Sequence, residues 1–116
     1  MKHFRLEEFD SPDQPGSGKH MVKNFLITLD KAREIAGIAF KINSGFRSRL
    51  RNTLVGGSEK SSHLAGCAAD IHCNNSLDRL IIIDACIKAG FNRIGIANTF
   101  IHVDNDITKN KAIWLY

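Results

Sequence analysis

Apolar residues recur along Met21–Gly37 at Met21, Val22, Phe25, Leu26, Leu29, Ala32 and Ala36. Steps of three and four place them on one stripe of a helix, which Gly37 ends. A second helix is expected over Ser76–Gly90, "SLDRLIIIDACIKAG". Ser76 suits its N-cap, Asp78 its positive end and Gly90 its stop. Short segments of strand character run at Ala39–Ile42, Ala68–Cys73, Arg93–Ala97, Phe100–Asp104 and Ala112–Tyr116. Strands this short, at short connections, predict a small antiparallel sheet with helices packed on one face, an α+β domain. Ser11–Gly18, "SPDQPGSG", reads as a loop. Asn43–Ser62 is polar and rich in Gly and Ser, mostly loop with one short helical turn.

The period of two matters most in two of these strands. In Ala68–Cys73, Ala69, Ile71 and Cys73 share one side and Asp70 and His72 the other. In Phe100–Asp104, Ile101 and Val103 share a side, with Phe100, His102 and Asp104 opposite. Each strand therefore carries an apolar face for a core and a second face bearing His and Asp. If the strands are neighbours, Asp70 and His102 project side by side, with Cβ atoms about 5 Å apart when directly opposed. That suits zinc, which takes nitrogen and oxygen ligands at about 2 Å in a tetrahedron. His63, on the loop before the strand, can supply a third corner, and Gly66 lets the chain turn between them. The small Ala65, Cys67 and Ala68 leave room, and a fourth corner open to solvent marks a catalytic site. A lone His or Asp is ordinarily a surface or packing residue; only the combination points to a metal. Cys67 and Cys73 flank Asp70, but Cys73 has the parity of the core face, so these and Cys86 read as packing residues.

With 116 residues and 43% hydrophobic content, the chain has the size of a single folded domain, residues 1–116, without repeat or composition break. Its net charge of +4 is a mild excess, consistent with an anionic partner such as a bacterial cell wall or a nucleic acid, though on charge alone it reads simply as solubility. No basic stripe with interleaved aromatics is present, which argues against nucleic acid. The longest apolar run is too short to cross a bilayer, so no membrane partner is expected. The charged start, "MKHFRLEEFD", lacks a secretory pattern, and three cysteines make no disulfide scaffold, so synthesis in a cytoplasm is expected. A monomer is the default.

The motif "SSHLAGCAADI" fits Ser-x-His-x-x-Gly-x-Ala-x-Asp, and the later "FIHVD" adds a final histidine. With the upstream "NSGFRS", this closely resembles the zinc D-Ala-D-Ala carboxypeptidase family, peptidoglycan peptidases of bacteria and phages whose fold is shared by the hedgehog signalling domain. The likeness runs from "HFRLEEFDSPDQPGSG" to "AIWLY", and the small size resembles single-domain phage and prophage members. It implies that His63, Asp70 and His102 hold Zn2+ and that Arg47, in "SGFR", faces the substrate, a peptidoglycan stem peptide. It implies metal-assisted amide hydrolysis at the cell wall, reached after a separate membrane lesion or by riding in the virion. One departure stands out: many members place Asp or Glu three residues before the last histidine as general base, and here that residue is Thr99, with Phe100 next. Asp104 is then the first candidate, by its parity with His102; His72 and Glu59 follow. Asp104 has an alternative role, orienting a ligand histidine. The alternative function is a zinc-containing, non-catalytic wall-binding or structural module.

Overall fold

The computed structural model describes residues 1–116. Three helices, α1 (Lys23–Ala36), α2 (Arg49–Leu54) and α3 (Ser76–Ala89), accompany five strands. These are β1 (Ile42–Ser44), β2 (Ala68–His72), β3 (Arg93–Ile96), β4 (Phe100–Asp104) and β5 (Ala112–Leu115). In α1 the expected stripe is buried through Phe25, Leu26, Leu29 and Ala32, and the helix ends at a left-handed Gly37. In α3 the cap is Asn75 rather than Ser76: its side chain accepts from the Asp78 N–H at 2.9 Å. Asn75 still has extended backbone, as a cap requires, whereas Ser76 is already the first helical residue. Both long helices pack together, and α3 reaches β4. They cover the apolar sheet face, where Ala69, Ile71 and Cys73 of the β2 segment, Ile94 of β3, and Ile101 and Val103 of β4 join one 18-residue core.

The sheet order is β1-β2-β4-β3-β5. Pairing is antiparallel across the first four strands, as expected, but β5 runs parallel to β3. The reason is occupancy: β4 already has β2 and β3 on its two sides. The chain leaving β4 therefore turns back, passes β3 and pairs on its far edge, antiparallel to β4 but parallel to β3. The first strand also lies later than Ala39–Ile42. Phe40 is taken into the core, and pairing with β2 starts at Ile42 and is irregular by Ser44.

The N-terminal stretch is more ordered than its Pro/Gly/Ser content suggests. Two 3-10 turns, Leu6–Phe9 and Ser17–His20, flank it, and Phe4 and Phe9 are buried. Phe9 accepts the Phe46 N–H at 2.9 Å through its carbonyl, so this segment underlies the loop that carries Arg47. No helix is long and apolar enough to cross a membrane.

Candidate metal centre

The expected pairing of the two central strands is present, with Asp70 directly opposite His102. Between His63 and Asp70 the chain turns at Gly66, which is left-handed at φ 72°. A side chain there would also meet the His20 carbonyl oxygen at 2.4 Å, so glycine is required on both counts. The turn brings His63 back over β2, and one ligand atom from each of His63, Asp70 and His102 falls within 4.8 Å of the others. All three are buried.

The donor chemistry fits a divalent cation. The His63 Nδ1–H donates to the Gly45 carbonyl at 2.7 Å, because a carbonyl can only accept. That tautomer leaves the Nε2 lone pair free, and Nε2 lies 3.3 Å from Asp70 Oδ1. His102 Nδ1 lies 2.9 Å from the same oxygen, while its Nε2 faces Asp104 Oδ2 at 2.7 Å. Neighbouring donors on a tetrahedral zinc stand roughly 3.3 Å apart. His63 Nε2, Asp70 Oδ1 and His102 Nδ1 are therefore the atoms that would hold the ion.

The charges agree with this. Burial would raise the Asp70 carboxyl, but hydrogen bonds and charge from His102 and His63 outweigh it and hold Asp70 well below the usual carboxylate range. Burial would lower His102, but Asp104 and Asp70 on its two nitrogens raise it above an ordinary histidine. Without a metal these carboxylates favour a proton on His102.

Arg47 comes from the loop after β1. Its Nη2 lies 3.4 Å from Asp70 Oδ2, its Nε donates to Ser44 Oγ at 3.2 Å and its Nη1 to Asn52 Oδ1 at 3.4 Å. Burial lowers its pKa, with the Asp70 charge opposing that shift. Asp104 is 1% exposed. Its Oδ1 accepts from Arg93 Nε at 2.7 Å and from the Asp106 N–H at 3.1 Å, and its Oδ2 faces His102. Burial would raise this carboxyl, and those three partners pull it below the ordinary value instead.

These residues line one cleft of about 330 Å³, which Phe100 also lines. The other base candidates lie elsewhere. Glu59 lines separate hollows beside Arg49 and Lys60. His72 is exposed at the end of β2 and is not a lining residue. Thr99 sits in the β3–β4 turn, where its carbonyl accepts from the Cys73 N–H at 3.0 Å. The three cysteines are buried and free, and burial pushes the Cys67 and Cys86 thiols up to about 11 and 12.

Sequence reasoning missed Arg93, Lys109, Trp114 and Tyr116, all lining the same cleft. Arg93 stacks over Trp114 at 4.8 Å and donates to the Asn110 carbonyl as well as to Asp104. Its signal was available in part: with Ile94 on the core face, Arg93 and Gly95 must face the metal-site side. What the pattern lacked was that β3 and β5 flank β4.

One face of the sheet is closed by helices, and on the other a buried His/Asp/His cluster that could hold a single metal ion opens into a cleft. The family model described as Peptidase M15 matches residues 2–104, and the chain belongs to that family of zinc-dependent metallopeptidases, which act on peptidoglycan peptides. No curated protein matches the chain.

Proposed function

We propose that this chain is a zinc-dependent peptidase that hydrolyses an amide bond in the stem peptide of bacterial peptidoglycan. The reading covers a terminal D-Ala-D-Ala bond and an L-Ala/D-Glu bond. The observation that carries it is the buried His63–Asp70–His102 cluster at the floor of an open cleft, with the Arg47 guanidinium beside it. Zinc held there supplies Lewis acidity.

The chain's own residues do the rest. Arg47 is fixed by Ser44, Asn52 and Asp70, so it is preorganised to receive the scissile carbonyl oxygen or a peptide carboxylate. Apart from Asp70, Asp104 is the only carboxylate lining the cleft, which keeps it the candidate for proton transfer. Both its oxygens are already engaged, so the role we propose for it is to hold the Nε2–H of His102 and leave Nδ1 facing the metal. The resemblance to phage and prophage members supports a cell-wall lytic role, which we propose the chain performs at the wall as a monomer.

Thr99, in the place where the resemblance would put a general base, favours a second reading, a zinc-containing wall-binding module. Mass spectrometry of purified peptidoglycan, before and after exposure to zinc-loaded protein, separates the two. New amine termini at one bond type support the peptidase. A protein with one zinc per chain that releases none from any wall type would be the binding module.

A further inference from the structure

The family match ends at Asp104, but the cleft continues beyond it. Trp114 and Tyr116, from β5 and the residue after it, form one of its walls. Both rings occupy space that Gly95 leaves on β3: a side chain at Gly95 would come within 2.7 Å of Trp114 and 2.8 Å of Tyr116. Trp114 stands 5.5 Å from the His102 ring, and Tyr116 stands 5.1 Å from Phe100. These three aromatics are the only hydrophobic residues among the 14 that line the cleft. All three come from the β4–β5 side, where Arg93 lies over Trp114, whereas Arg47 and serine hydroxyls line the cleft from the loops. Tyr116 is 68% exposed, so the wall is open to a ligand.

We propose that Phe100, Trp114 and Tyr116 are substrate-binding residues, packing against a small apolar side chain next to the scissile amide while the peptide's carboxylate faces Arg47. This rests on the peptidase reading above. An aromatic wall gains from covering apolar groups, and Arg93 already lies over the Trp114 face that a ligand cation would take. The shape also selects against a flat ligand. Phe100 and Tyr116 are tilted by 56°, and Trp114 and Tyr116 by 60°, so the rings give no coplanar platform for a sugar face. They form a corner, which suits a methyl-sized group.

Trp114 is the chain's single tryptophan, so its emission reads this wall directly. The probe is the pentapeptide L-Ala-D-Glu-L-Lys-D-Ala-D-Ala, titrated into metal-stripped and zinc-loaded protein. A saturable change in emission is expected. Tyr116→Ala should weaken binding about tenfold, equivalent to about 1.4 kcal/mol, with zinc content unchanged. Tyr116→Phe should stay within about twofold, because it keeps the ring. In hydrolysis the loss should appear in KM, with kcat largely kept. No saturable change in the wild type, or wild-type affinity in both Tyr116→Ala and Phe100→Ala, overturns the proposal. The two readings fail separately. Tyr116-dependent binding without any hydrolysis sinks the peptidase and leaves the wall standing. Hydrolysis with an unaltered KM in Tyr116→Ala does the reverse.

Discussion

The two faces of β2 and β4 share one backbone and nearly the same burial, yet they are held together in different ways. On one face Ile71, Ile101 and Val103 are fully buried and need only close packing. On the other, His102 is 7% exposed and Asp104 1%, so their polar atoms must find partners within the protein. They do: Arg47, Asp70, His102, Asp104 and Arg93 form a chain of alternating charge across the sheet. The single buried side-chain atom without a partner, Arg79 Nε, lies outside this network. Burial alone therefore does not distinguish a core from a site. A truncation on the apolar face removes contacts, while one on the polar face strands a charge or loses a ligand.

The sharpest break is at the ligands. His63→Ala or His102→Ala should lower zinc content from about one per chain to near zero and cut hydrolysis on the order of 10³-fold or more. Metal analysis and muropeptide release read the two losses, and zinc retained by both variants would sink the ligand assignment. Next comes the apolar face. Ile101→Ala should destabilise the fold by about 2–5 kcal/mol in urea titration, with the folded protein still binding zinc. Loss of zinc with an unchanged urea midpoint would show that the faces are not separable in this way.

Asp104→Asn should weaken zinc by about 10–100-fold, measured by competition with a chelator, because the amide can no longer fix the His102 tautomer. Full zinc affinity with abolished turnover would instead make Asp104 the proton acceptor. The smallest expected effect is a pH dependence of the metal-stripped protein. His102 has a raised native value, so its contribution is fully present below about 6.5 and is lost as pH rises from there through the higher native value. Asp70 and Asp104 are depressed, so theirs is present above about 3.9 and is lost as pH falls through their native values. The urea midpoint should then be higher at pH 5.5 than at pH 8.5. Zinc affinity should move the opposite way, since the proton competes for Nδ1. A metal-stripped protein more stable at pH 8.5 would mean that His102 is neutral between its two carboxylates.

Strand parity made half of this legible beforehand. The period of two in "AADIHC" and "FIHVD" separates the apolar from the polar face whatever the neighbours are, because alternation is local geometry. The same holds for the α1 stripe and for the glycines that end both long helices. Thr99 and Glu59 show where that reasoning stops. Their candidacy or exclusion as acid–base groups depends on where a turn and a loop lie relative to the cleft, and chain spacing does not carry that distance.

By itself, then, the sequence determined the two long helices, the apolar and polar faces of the central strands, and the His/Asp/His motif with the family resemblance it brings. Tertiary structure alone decided that β5 passes β3 to pair in parallel, which places Trp114 and Tyr116 over Gly95, with Trp114 beside His102. It alone placed Arg93 against Asp104 and His63 against the Gly45 carbonyl. The physical reason is range. Alternation and capping are set by a few consecutive residues, whereas strand order depends on which edges remain free once all the other strands have paired.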